Sequence, residues 1–293
     1  MKLLALASML VDHTAVFLYP RFTDAQTYEW LRAAGRLAFP IYAFLIVNGY
    51  GKTRDVRRYL TRLVAFAFVS QVPWVLASDA ALYPRDNGLV VGLGARWFVC
   101  AIFIFVACAA WYCTVRKDWS VLLVLLALTA AVLRVEYAGI RIFSDELNVF
   151  YTLSLGLCVV AVLDGALSPQ RDTVKLLMQA LALFGVFFLV RDNADYRTLG
   201  VALIVSIWLA RGSRFSQAGV ILLWCAVEYI VDPHPVSHFI AAALSLVPIL
   251  LYNGRQGRPL KLAFYAIYPL HLAILGMATV YLTLTQAAGT VVS

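Results

Sequence analysis

Charge is what this sequence has least of: Asp, Glu, Lys and Arg make up 14% of its 293 residues, against 62% hydrophobic. A water-soluble domain of that length needs far more charge to cover its surface, so the soluble enzyme classes are excluded. Internal repeats, low-complexity tracts and linkers are absent as well, which leaves one domain over residues 1–293. Cysteine is sparse and unpatterned. Cys100, Cys108, Cys113, Cys158 and Cys225 all fall in apolar runs with no C-x-x-C pair, so they read as small packing residues, with neither a metal centre nor a disulfide framework.

Apolar runs of helical length are abundant. They can be drawn at 3–20, 33–50, 59–77, 95–114, 119–135, 147–163, 173–191, 197–211, 216–231, 235–252 and 260–284. The expected fold is therefore all-α, a polytopic membrane helix bundle of about eleven spans. The pair at 197–231 is short for two crossings and could form a re-entrant hairpin, which lowers the count to about nine. The first run follows Lys2 as a secretory signal would, but Asp12 and His13 interrupt it and no small-x-small cleavage site follows, so it is expected to stay as a helix.

Orientation follows from the basic residues. With the N-terminus in the cytoplasm, fifteen of the 24 Lys and Arg residues fall in the inner loops and nine outside. That matches the positive-inside bias of a bacterial inner-membrane protein and places much of the net charge of +8 on the cytoplasmic face. Anionic lipid headgroups account for such loops as a group, and nucleic acid is a poor partner for them. The loop GYGKTRDVRRYLTR is more pointed: Arg54, Arg58 and Arg62 lie at i, i+4, i+8 and line one face if the helix begins by Arg54. The stripe could clamp cofactor phosphates or reach to lipid phosphates, with Arg62 deepest in the apolar run and Asn48 nearby at the inner end of the preceding helix.

Inside the apolar runs the titratable residues are few. Asp12 and His13 share the middle of the first helix, where an acid costs about 2.5–3.5 kcal/mol on insertion scales. His271 lies about ten residues, roughly 15 Å, into the last helix, the same depth as His13 on a helix running the same way. Tyr265 and Tyr268 precede it by two turns and one, and Pro269 frees a backbone carbonyl nearby. His234 and His238 read as interfacial, and Glu228 has no assignable partner. Arg36, which opens the second helix ahead of Pro40, is an apt salt partner for Asp12. Gln71, Asn148 and Tyr151 are further candidates to line a cavity, or else to bond one helix to another.

The stretches MLVDHTAVFLYP, GRLAFPIYAFLIVNGY, RRYLTRLVAFAFVSQVPW, LNVFYTLSLG, ADYRTLGVALIV, LVPILLYNGRQG and FYAIYPLHLAIL, in that order, resemble the TraX family. These proteins are named for N-acetylation of F-pilin in conjugation and grouped with membrane-embedded acyltransferases. Asp12-His13, Gly35-Arg36, Phe39-Pro40, Gln71, Asn148 and His271 stand at the family's positions. Two features depart from it: an extra helical hairpin at 95–135, and Arg197 where the family has Gly after Asp-Tyr.

The resemblance implies an acetyl-CoA-dependent transferase, with the donor on the cytoplasmic side and an acceptor amine or hydroxyl at or beyond the membrane. That acceptor could be a pilin amino terminus, an envelope glycan or a lipid. Acyl transfer needs a base for the nucleophile and stabilisation of the oxyanion. His13 is the expected base, Asp12 its electrostatic support, and His271 or Tyr268 the oxyanion or thiolate stabiliser. Arg36, Gln71, Asn148, Tyr151, Tyr265 and Tyr268 are expected around the substrate, and Asn48, Arg54, Arg58 and Arg62 around the CoA. A histidine carrying the acetyl group covalently is equally available. The rival readings are a proton-coupled carrier using Asp12, His13 and Glu228, and a noncatalytic pilus assembly factor.

Overall fold

The computed structural model of the chain describes residues 1–22, 24–82, 136–137, 140–141, 147–165, 196–255 and 261–291. The expected hairpin at 95–135 and the run at 173–191 lie outside these residues. Ten helices are described: α1 (Lys2–Phe22), α2 (Ala25–Arg36), α3 (Ala38–Tyr50), α4 (Val56–Leu82), α5 (Val149–Leu163), α6 (Arg197–Leu209), α7 (Arg214–Val231), α8 (Val236–Leu244), α9 (Leu246–Leu250) and α10 (Lys261–Val291). Among the described residues two short strands, β1 (Glu136–Tyr137) and β2 (Ile140–Arg141), pair antiparallel with Glu136 opposite Arg141.

Proline places two of the helix breaks. Pro40 has no N–H to give the carbonyl four residues back, at Arg36, where α2 ends. Pro248 stands in the same relation to Leu244, where α8 ends. Side-chain caps place several starts. Asp24 Oδ1 accepts from Thr27 N at 2.8 Å, Asp55 Oδ1 from Arg58 N at 2.9 Å and Asn148 Oδ1 from Phe150 N at 3.0 Å. Because Asp55 caps α4, Arg54 falls in the turn before it, and the expected three-arginine helical stripe is reduced to Arg58 and Arg62.

Four described stretches are long and apolar enough to cross a membrane: Ala25–Tyr50, Val56–Ser78, Arg214–Val231 and Tyr265–Leu282. Val149–Leu163, Arg197–Leu209 and Val236–Leu250 are shorter apolar helices, and α1 adds 21 residues carrying Asp12 and His13. The second span starts eight residues before the apolar run suggests, because its first turns, AQTYEWLRAAGR, are amphipathic. The expected number of about eleven spans is thus met by fewer long ones among the described residues. Large apolar side chains stand exposed on α7 and α10, among them Phe215, Leu223, Ile230, Ile274 and Met277, as lipid-facing positions require.

Contacts between loops fix the two ends of the bundle. At one end Tyr50 donates to Asp164 Oδ2 at 2.9 Å and Lys52 Nζ donates to the Gly254 carbonyl at 2.6 Å, joining the ends of α3, α5 and α9. At the other, His238 Nε2 lies 3.2 Å from Glu29 Oε2, joining the starts of α2 and α8. Between them α1, α4 and α10 run parallel, and Phe17, Phe39, Phe44, Phe68, Ile204 and Ile207 fill the core. Lipid gives such helices no hydrophobic reason to associate, so close approach does that work. A Cβ on Gly276 would come 3.1 Å from Ala77 N, so this glycine lets α10 lie directly on α4.

Candidate functional site

α1 and α10 run side by side and bring a histidine from each end of the sequence to the same depth. His13 Nδ1 lies 2.7 Å from His271 Nε2, and the two rings are nearly coplanar in orientation, 8° apart with centroids at 5.0 Å. Both rings are buried. His271 Nδ1 lies 2.9 Å from the Ile267 carbonyl, one turn back on its own helix. A carbonyl only accepts, so this nitrogen carries the proton. With both rings neutral, His271 Nε2 is then the acceptor and His13 Nδ1 the donor, which leaves the lone pair on His13 Nε2.

Aromatic rings wall the pair. Trp74 from α4 meets His13 edge-on at 5.7 Å, Phe17 tilts against it at 5.9 Å, and Tyr268 stands edge-on to His13 at 5.8 Å and to His271 at 5.4 Å. Tyr268 is itself edge-on to Phe150 at 4.9 Å. Along α10 the wall continues one turn back to Tyr265, stacked on Phe66 at 4.8 Å. Arg62 reaches this face from α4: it sits 5.9 Å from the Tyr59 ring and beside the Tyr265 hydroxyl. Arg62 is half-buried, whereas Arg54 and Arg58 are exposed. A face of α10 thus leads from a guanidinium at the basic end to the imidazole pair, its last leg, Tyr265 to His271, rising about 9 Å.

Asp12 does not share this site. It faces α2, where its carboxylate pairs with Arg32 at 2.6 Å and not, as the sequence suggests, with Arg36. The second helix begins earlier than its apolar run, which puts Arg32 in α2 one turn before Arg36 and opposite Asp12. Gly35 makes the space, since a Cβ there would land on the Asp12 side chain, and Ser8 fastens the same crossing by donating to the Ala34 carbonyl at 2.6 Å. Arg36 acts electrostatically on His13, Glu228 and His238 together.

Gln71 and Asn148, expected around the substrate, are given to each other. The Asn148 amide nitrogen donates to Gln71 Oε1 at 2.7 Å and to the Ala67 carbonyl at 2.8 Å, and its backbone N–H donates to Gln71 Oε1 at 3.0 Å. Its Oδ1 caps α5, so the side chain has no donor left for a ligand. The pair bolts α5 to α4. Tyr151 packs edge-on against Phe68 at 5.7 Å, within the α4–α5 contact. Asn48 donates to the Phe44 carbonyl of its own helix at 2.9 Å.

Besides Arg32, three groups were missed by sequence reasoning. Trp74 follows Gln71 by one turn, and its place against His13 had no signal beyond that spacing. Glu228, assigned no partner, has His234 Nε2 at 3.5 Å. His238, read as interfacial, is buried against Glu29. Among the described residues no group of His, Cys, Asp or Glu could hold a metal ion.

The family model described as TraX protein matches residues 1–142 and 98–279, which together span most of the sequence. The chain belongs to the TraX family. It is also 25% identical over 294 residues to the "Probable fimbrial assembly protein FimC, serogroup H1" of Dichelobacter nodosus, covering 96% of this chain and 95% of that protein. No solved structure matches. In this TraX protein His13 and His271 meet, while Gly35, Gln71 and Asn148 serve helix crossings.

Proposed function

We propose that this TraX protein is a membrane-embedded acetyltransferase that moves an acetyl group from cytoplasmic acetyl-CoA to an amine or hydroxyl acceptor at or beyond the membrane. The observation that carries the reading is the imidazole pair: the Ile267 carbonyl orients His271, His271 orients His13, and His13 Nε2 keeps a lone pair inside an aromatic wall. This is the base-and-orienter arrangement that acyl transfer uses, with a second imidazole where other enzymes have a carboxylate. A buried imidazole orienter brings no charge into the membrane, which a carboxylate would.

In this mechanism His13 Nε2 takes the proton of the acceptor N–H or O–H as its heteroatom forms a bond to the thioester carbonyl carbon. Arg36 and the Tyr268 hydroxyl stabilise the oxyanion. As the carbon–sulfur bond breaks, His13 returns the proton to the departing thiolate, so acceptor and thioester become acetylated acceptor and free thiol. Asp12 acts only at a distance, by holding Arg32. Arg62 and Tyr265 guide the thioester arm, and Arg54, Arg58 and Asn48 lie toward the nucleotide end.

The TraX family and the fimbrial name of the relative favour a pilin amino terminus as acceptor, with an envelope glycan or lipid as the other choices. The bias of basic residues supports a bacterial inner-membrane location with the N-terminus cytoplasmic. The test is thiol release from acetyl-CoA by the full chain in detergent, with a pilin N-terminal peptide as acceptor. His13→Ala should abolish release while the protein keeps its helix content and elution volume. Full activity in His13→Ala removes His13 as the base. If acetyl-CoA neither stabilises the wild type nor is consumed, the transferase reading fails and the assembly-factor reading gains.

A further inference from the structure

At the end of the bundle bearing the α3–α4 turn, cations from loops far apart in sequence converge on one tyrosine. Lys52 Nζ lies 5.4 Å from the Tyr252 ring centroid and the Arg214 guanidinium 6.0 Å from the same centroid. Lys52 also donates to the Gly254 carbonyl at 2.6 Å, and it lies 3.5 Å from the Tyr252 hydroxyl. The tyrosine is held edge-on against Phe44 at 5.6 Å, so the platform is fixed by the core of α3. Two like charges sharing one ring repel each other, and the ring quadrupole offsets only part of that. Among the described residues neither cation has a carboxylate partner.

A lysine that only served the positive-inside bias would extend to the headgroups. Lys52 instead folds back onto a carbonyl 202 residues away in sequence. Arg214 opens α7, whose Ser213 cap is loose at 3.5 Å, so the helix N-terminus adds a further preference for an anion at the same place. We propose that Lys52, Arg214 and the turn 252–254 form a phosphate-binding site, with Tyr252 as its floor.

Lys52 shares the α3–α4 turn with Arg54, so the site continues the basic face of Arg54, Arg58 and Arg62. If the acetyltransferase reading holds, on which this assignment of substrate rests, the phosphate belongs to the nucleotide end of the CoA thioester. The α3–α4 turn and the Tyr59–Arg62–Tyr265 contact then link that end to the imidazole pair. An anionic lipid headgroup offers the same chemistry and is the other source.

The probe is adenosine 3′,5′-bisphosphate, which carries phosphates and an adenine but no acyl group, titrated against the full chain in zwitterionic nanodiscs. Lys52→Met with Arg214→Gln should weaken its binding by about tenfold or more, as expected when two charge-assisted contacts are lost, with melting temperature and elution unchanged. Arg57→Gln, an equal loss of charge per site on the exposed start of α4, should leave binding within about twofold. The proposal is overturned if the wild type does not bind the probe, if the double variant binds it as well as wild type, or if Arg57→Gln weakens it equally.

Nanodiscs containing phosphatidylglycerol separate the sources. Competition with the probe, lost in the double variant, assigns the site to a lipid phosphate. Absence of competition assigns it to the free nucleotide. The acyl chemistry is tested separately with S-acetylpantetheine, which lacks the nucleotide. A double variant that transfers from this donor at the wild-type rate but has a raised KM for acetyl-CoA supports the site. Loss of all transfer in the wild type with probe binding intact sinks the transferase reading and leaves the phosphate site standing.

Discussion

Asp12 and His13 are neighbours in sequence, yet they belong to two polar regions built in opposite ways. Adjacent helical residues point about 100° apart, so α1 sends one side chain to α2 and the other to α4 and α10. On the α2 side carboxylates have a basic side chain beside them: Asp12 pairs with the Arg32 guanidinium, and Glu29 and Glu228 lie next to the His238 and His234 imidazoles. On the α10 side no carboxylate among the described residues meets the pair, in which a hydrogen bond joins two imidazoles inside a wall of rings. The ion pair holds two helices together by opposite charge, whereas the neutral pair presents an oriented imidazole lone pair on His13 Nε2, and that is the difference between a fastening and a base.

The largest test of this contrast is activity. His13→Ala should cost roughly 100- to 10,000-fold in turnover, the usual range for losing a general base, with the fold retained by circular dichroism. His271→Ala, which removes only the orienting partner, should cost less and act on kcat more than KM. Asp12→Ala should leave the slope of the pH–rate profile unchanged. If Asp12→Ala matches the kinetic loss of His13→Ala, the two regions are one site and the contrast fails.

Stability reads the other region. Asp12→Ala leaves Arg32 charged and four-fifths covered with no carboxylate, and should cost on the order of 2–3 kcal/mol in a denaturant titration in mixed micelles, somewhat under a fully buried pair. Adding Arg32→Met should recover most of it. A double variant no better than the single would show that the pair is not coupled.

Gly35 sharpens the same crossing sterically. Gly35→Ala puts a methyl onto the Asp12 carboxylate and its Cβ, and about 1–3 kcal/mol of destabilisation is expected as α1 and α2 are pushed apart. Asp12→Ala should not rescue it, because the Cβ of residue 12 remains in the way, whereas Asp12→Gly should. Equal rescue by both would make the cost electrostatic.

The meeting of His13 with His271 could be anticipated in the sequence, because both depth and direction follow from counting residues along two parallel helices. The partner of Asp12 could not. A hydropathy window starts a helix where apolar residues begin, and so it discards the polar turns of α2 that carry Arg32 and Glu29. Gln71 and Asn148 were visible as polar residues in apolar runs, but whether such a residue faces a ligand or a neighbouring helix depends on packing that no single segment encodes. The basic face was legible as a count, while the convergence of Lys52 and Arg214 on Tyr252 needed three loops in space.

Arg197 carries the smallest effect and the opposite sign. Its φ of +44°, beside Tyr196 at +59°, is the left-handed backbone that glycine adopts freely. Tyr196 is held there by stacking on Phe39 at 3.7 Å, so the turn is imposed from outside by the α3 core. Arg197→Gly should therefore raise stability by about 1 kcal/mol, as relief of backbone strain outweighs the added freedom of the unfolded chain. Because the turn lies outside both polar regions, transfer and probe binding should not move. A loss of stability would mean that the arginine side chain holds the entry to α6 by a contact worth more than the strain.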